Sequence, residues 1–207
     1  MSDLRLESIV GGFAAFAFAA GCAASADTDP PGVGPPELPL AVSSVFAPSG
    51  YMGDGAGGTA VVADMTCAER PSGARGDCYR FTYNAGAMLW SGVYWQFPAN
   101  NWGAAEGKAI PPGATNVSFY AAGAAGGEVL TIKIGGIHDT TLPYSDTFSA
   151  QGKFTLTTAM TKYSVDLTGQ SYDKVIGGFS WATSYPEGTN PATAAPIVFF
   201  LDDLVWE

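Results

Sequence analysis

Histidine is almost missing from this 207-residue chain, with His138 the only one. Any Ser-His-Asp hydrolytic arrangement would have to use it. It lies in Gly135-Gly136-Ile137-His138-Asp139, which reads as a turn, and no Gly-x-Ser-x-Gly elbow occurs. Basic side chains are scarce as well, 9 Lys and Arg against 19 Asp and Glu. So acidic a surface repels phosphate backbones, which argues against nucleic acid as a partner. Phosphate-cradling glycine loops and metalloprotease motifs are lacking. Long apolar runs are lacking too: the stretch from Ile9 to Ala20 is well short of the ~20 residues a membrane span requires. From Val42 onward no stretch reads as a helix longer than a turn or two.

What the N-terminus does have is a run of small residues, Phe18-Ala19-Ala20-Gly21-Cys22, closing that apolar stretch. It resembles the lipobox of bacterial lipoproteins, in which such a cysteine becomes the lipid-bearing first residue. The resemblance implies a signal peptide over residues 1–21, export, and anchoring through Cys22. Ala23, not Asp, follows the cysteine, which points to the outer membrane or cell surface. Removing residues 1–21 takes away Arg5, Asp3 and Glu7 and leaves 8 basic against 17 acidic residues, a net charge of −9. Anionic headgroups would repel that surface, so membrane attachment must come from acyl chains on Cys22. Residues 22–42, with five prolines in the run Ala23–Pro39 and no apolar periodicity, read as an extended tether of ~3 Å per residue.

If Cys22 is lipidated, Cys67 and Cys78 remain as a pair. Outside the cytoplasm, two cysteines 11 apart around Pro71-Ser72-Gly73 are expected to form a disulfide worth ~2–3 kcal/mol. Arg70, Arg75 and Arg80 cluster there and are expected to offset Asp64, Glu69 and Asp77. Only 14% of residues are charged, while 13% are aromatic and 27 are glycine, a profile of tight-turned β-structure. Strands are expected at 59–64, 77–83, 91–97, 116–122, 129–134, 152–157, 161–166, 174–181 and 196–206. In the third, Val93, Trp95 and Phe97 alternate with Tyr94 and Gln96; in the fifth, Thr131 and Lys133 face outward. The last is apolar on both faces and reads as a central strand. The expected fold is all-β, an antiparallel β-sandwich of jelly-roll type over residues 43–207.

Four phrases occur in order: Ser49-Gly50-Tyr51-Met52-Gly53-Asp54, then Trp90 to Gly103, then Gly113 to Phe119, then Phe199-Phe200-Leu201-Asp202-Asp203-Leu204. Together they resemble the galactose-binding-domain-like sandwiches of secreted bacterial proteins, which include many carbohydrate-binding modules. In such sandwiches a structural calcium often lies near the first and last strands. The resemblance therefore implies a calcium site built from Asp54, in the glycine-rich 51–58 loop, and Asp202 or Asp203. The alternative gives the Asp pair hydrogen bonds to loop N–H groups, since a buried carboxylate needs one remedy or the other. As neighbours on a strand the two are expected to face opposite ways, which also disqualifies them as a glycosidase pair.

Sugar rings present C–H patches that stack on Trp and Tyr while amides read their hydroxyls. Candidate ligand-binding residues are Trp102 with Asn100 and Asn101, together with Tyr94, Trp181 and Tyr185; Trp90 and Tyr144 are further possibilities. Against this stands the structural role of aromatics in sandwich cores, to which Trp95 and Trp206 are assigned. The leading reading is a lipid-anchored extracytoplasmic module that binds a carbohydrate and has no catalysis of its own. The rivals are an envelope domain that binds a protein partner and a divergent hydrolase.

Overall fold

Strands whose alternate residues are large and apolar must bury one face, and here two sheets bury theirs against each other. The computed structural model describes residues 36–67, 73 and 76–207. The lipobox, Cys22, residues 22–35 of the expected tether, Arg70 and Arg75 lie outside the described residues. In chain order the strands are β1 (Leu40–Ala41), β2 (Ala47–Gly53), β3 (Val61–Asp64), β4 (Cys78–Tyr83), β5 (Trp90–Gln96), β6 (Lys108–Ala109) and β7 (Asn116–Gly123). They continue with β8 (Val129–Gly135), β9 (Ser149–Thr155), β10 (Thr161–Asp166), β11 (Lys174–Val175), β12 (Gly177–Ser184) and β13 (Ile197–Trp206).

One sheet runs β10-β7-β13-β4-β3, with β1 pairing the end of β13; the other runs β2-β5-β12-β8-β9. Every pairing is antiparallel. A small β6–β11 ladder closes one side. The result is an antiparallel β-sandwich of jelly-roll type, with β13 central as its sequence implied.

Between the sheets, Phe81, Trp95, Phe119, Phe179, Trp181, Phe199 and Trp206 are wholly buried. The Phe81 and Trp181 rings approach to 4.9 Å, and Trp95 meets Phe179 edge-on at 5.4 Å. Each such side chain contributes about 1.5–3 kcal/mol of burial, and the edge-to-face geometry adds to it. Trp206 joins the sheets with a polar contact too, its Nε1 donating to Gly178 O at 3.0 Å.

Three sequence expectations need correction. The sandwich begins before residue 43, because Leu40 and Val42 are buried in the core and β1 pairs with Val205 and Trp206. The expected strand over 174–181 is two elements: β11 pairs with β6, and β12 starts anew at Gly177 beside β5. And β2 was hidden, because Pro48, Gly50 and Gly53 break its alternation; it is an edge strand with a bulge between Pro48 and Gly50, where proline is tolerated. The disulfide forms as expected, Cys67 to Cys78 with Cα atoms 5.4 Å apart, and Phe200 and Met160 pack on it.

Candidate functional site

The outer face of the β2-β5-β12-β8-β9 sheet carries a groove, and strand register builds it. One row across the sheet reads Gly50, Tyr94, Ser180, Lys133, Gln151. The next reads Met52, Gly92, Ala182, Thr131, Lys153. Small residues, Ser180 and Ala182, therefore occupy the central strand of the face, with Tyr94, Met52, Lys133 and Lys153 to either side. Gly92 is required: a Cβ there would stand 2.8 Å from Met52 Cε and 2.6 Å from the Trp181 carbonyl.

Two hollows of about 480 and 520 Å3 lie on this face and share Trp90, Thr131 and Ala182, so they form one continuous groove. Lys153 and Tyr185 border the first; Tyr94, Trp102, Lys133 and His138 border the second. Trp90 and Trp102 are each 38% exposed, which is large for an indole on a folded surface.

Trp102 is held by its neighbours. Asn101 spends all four of its hydrogen-bonding positions inside the loop: Nδ2 donates to Phe97 O and Ala105 O, and Oδ1 accepts from the Gly103 and Ala105 N–H groups. Gln96 Nε2 donates to Asn101 O at 2.7 Å. Asn101 is thus a positioning residue, 4% exposed, and not a ligand reader. Asn100 is exposed but stands on the other side of Trp102, beside Ser49, Tyr51 and Gly55. Tyr94 supports the indole from below and donates to Gly135 O at 3.2 Å. Burial, with a further push from Asp146 and partial relief from Ser180, moves its pKa up to about 12, so it acts as a neutral donor.

The loop bearing His138 and Asp139 is pinned by Asp146. Its carboxylate accepts from Ile137 N, Ile176 N and Gly177 N at 2.9, 2.6 and 3.2 Å. Burial raises its pKa despite these three donors.

Of the aromatic candidates, Trp102 and Tyr94 come together in the groove and Tyr185 borders one end. The Tyr185 hydroxyl is engaged structurally, within 3.0 Å of Tyr83 O and 2.9 Å of Ala195 O while accepting from Ile197 N. Trp181 is corrected: it points inward, wholly buried between Phe81 and Phe199, because Ser180 and Ala182 take the outward positions on β12. Sequence reasoning missed Met52, Ser180, Ala182 and Lys153 as lining residues, and held Trp90, which lines both hollows, only as a further possibility. The outward alternation of Thr131 and Lys133 was the usable signal.

The acidic candidates do not form one site. Asp54 accepts from Tyr83 Oη at 2.6 Å, Gly86 N at 3.0 Å and Met88 N at 2.9 Å, and so sits at the Tyr83 end of β4. Asp202 pairs with Cys78 at the other end, five residues and roughly 17 Å away. A calcium shared by Asp54 and Asp202 or Asp203 does not fit this geometry. Among the described residues no group of three or more His, Cys, Asp or Glu is placed to hold a metal ion. Nor do Asp202 and Asp203 face opposite ways. A bulge follows Asp202, Asp203 takes φ +47°, and both carboxylates turn toward Gly76, where a Cβ would lie 3.7 and 2.5 Å from their respective Oδ1 atoms.

No protein-family model matches the chain, and no curated protein matches it. Solved structures similar to it include a family 30 carbohydrate-binding module, 14% identical over 78% of this chain and 81% of that one, with a TM-score of 0.46. The family 30 module of the cellulosomal cellulase Cel9D-Cel44B of Clostridium thermocellum is 14% identical over 72% and 82%, TM-score 0.46. The family 11 module of the cellulosomal cellulase Lic26A-Cel5E of the same organism is 12% identical over 84% and 95%, TM-score 0.47. What those modules bind is a property of those modules; the sandwich of this chain stands on its own strand pairing.

Proposed function

We propose that this chain is a non-catalytic carbohydrate-binding module whose ligand lies in the groove of the second sheet. One observation carries the reading. Two half-exposed indoles, Trp90 and Trp102, border a hollow floored by Ser180 and Ala182 and edged by polar Thr131, Lys133 and His138. Sugar C–H faces stack on such rings, and hydroxyls find the convergent polar groups. Among the described residues the lining of both hollows contains one carboxylate, Asp139, whereas retaining and inverting glycosidases work with two.

The proposal extends to place: the module is exported and held at the cell envelope by lipid on Cys22. The Cys67–Cys78 disulfide supports an oxidising compartment. Affinity electrophoresis in gels containing soluble polysaccharides tests the binding reading. Retardation by at least one glycan, abolished by Trp90→Ala and Trp102→Ala together, is the expected result. Unretarded migration in every glycan, with a protein recovered by pull-down from envelope extracts, would replace this reading with a protein-binding role.

A further inference from the structure

The charge on the groove narrows the ligand class, provided that the groove takes a glycan. Lysines elsewhere on the described surface are engaged: Lys162 pairs with Glu207 at 3.0 Å, Lys174 with Glu106 at 2.5 Å, and Lys108 stands 5.5 Å from the Phe97 ring centre. Lys133 and Lys153 differ, because neither forms an ion pair among the described residues. Lys133 Nζ donates to the neutral Gly136 carbonyl at 3.3 Å. The carboxylate that acts on it electrostatically, Asp146, is buried and already accepts three backbone N–H groups.

Register places the two lysines on one face. Thr131 opposes Lys153 and Lys133 opposes Gln151, so Lys133 and Lys153 are diagonal neighbours about 7–8 Å apart. Lys153 borders one hollow and Lys133 the other, and the hollows meet at Thr131. The one carboxylate in the lining, Asp139, has Oδ1 engaged by the Thr141 N–H and hydroxyl. The formal charge of the whole chain is −10, but charges beyond ~8 Å are largely screened at physiological salt, so the field in the groove is set by its own lining, where two lysines outnumber one carboxylate, Asp139.

We propose that the groove selects an anionic glycan, its acidic groups paired with Lys133 and Lys153 while the sugar faces stack on Trp90 and Trp102. Carboxylates and sulfates share this chemistry, since each offers charged acceptors to an ammonium donor.

The test rests on the carbohydrate reading and pairs charged and uncharged probes on the same backbone: polygalacturonate against its methyl ester, and dextran sulfate against dextran. The full chain is expected to bind polygalacturonate or dextran sulfate, to lose binding to the uncharged counterpart, and to weaken as salt rises. Which acidic probe binds separates carboxylate from sulfate. Lys153→Gln and Lys133→Gln should each weaken binding about two- to fivefold, with Lys153→Arg restoring it. Lys153 is exposed, so its substitution leaves folding intact. Equal binding to charged and uncharged partners, or binding to neutral glycans alone, overturns this inference and leaves carbohydrate binding standing. Failure to bind any glycan overturns both.

Discussion

The Trp102 indole stands edge-on to the Tyr94 ring, their centres 5.9 Å apart and their planes at 83°. The contact fixes the angle at which a 38%-exposed indole faces solvent. It links a buried, register-determined position on β5 to an indole on the loop that Asn101 holds. Phe at 94 keeps the ring contact and loses the bond to Gly135 O. Tyr94→Phe is therefore expected to cost about 1 kcal/mol in urea denaturation and to leave glycan binding largely intact. Tyr94→Ala should weaken binding as much as loss of Trp102.

The three core tryptophans and the two in the groove should separate cleanly by phenotype. Trp181→Ala empties a site between Phe81 and Phe199 and should destabilise the fold by about 3–5 kcal/mol. Trp102→Ala should change stability by less than about 1 kcal/mol and reduce glycan affinity tenfold or more. Chemical denaturation and affinity electrophoresis on the same preparations check both. A Trp102→Ala protein that binds normally would remove the indole from the site.

Asn101→Ala deletes four hydrogen bonds that fold the Trp102 loop. A loss of about 2–3 kcal/mol is expected, because the Gly103 and Ala105 N–H groups and the Phe97 and Ala105 carbonyls all lose their partner, part of it around the buried Gly103. Binding should fall with it. Asn100→Ala, on the far side of the indole, should leave binding nearly unchanged, while its φ of +61° makes the replacement cost about 1 kcal/mol of stability.

Two aspartates give opposite pH signs. At Asp54, burial pushes the pKa up, but the Tyr83 hydroxyl and the Met88 and Gly86 N–H groups outweigh it and the net shift is downward. Its stabilisation is thus present above the ordinary carboxylate range and is lost as pH falls through the native value. Asp146 runs the other way. Its native pKa is raised, so its contribution is greatest in acid and declines as pH rises through that value. Asp54→Asn is expected to cost about 1–2 kcal/mol at neutral pH and to flatten the acid limb of stability curves taken from about pH 3 to about pH 7. An unchanged acid limb would mean that Asp54 is not bonded as described.

Much of the fold was legible because alternation is a strong signal where one face is buried. Val93, Trp95 and Phe97, and Thr131 and Lys133, each announced a side of the sheet. What escaped was structure imposed from outside the strand. The edge strand β2, rich in glycine and proline, is held by β5 and not by its own pattern. The bulge at Asp203 reverses the facing that strict alternation dictates. The site was half legible for a similar reason. Trp102 and Tyr94 stand out as aromatics, but Gly92, Ala182 and Ser180 matter through their smallness, which acquires meaning only once register sets them side by side. Trp181 reads from sequence as a strand-end residue near a loop rich in Pro, Gly and Asn, but β12 runs on to Ser184 and its alternation turns the indole inward.

The proposed lipid anchor has its own check. Cys22→Ser should abolish metabolic labelling with a radioactive fatty acid and release the chain from membranes; retention on membranes would show that the segment is not a lipobox.

Five indole N–H resonances offer the most direct test of the groove itself. During titration with a glycan that binds, the signals of Trp90 and Trp102 should move while those of Trp95, Trp181 and Trp206, buried between the sheets, stay in place. Shifts confined to the buried three, or spread equally over all five, would contradict a ligand seated on the outer face of the second sheet.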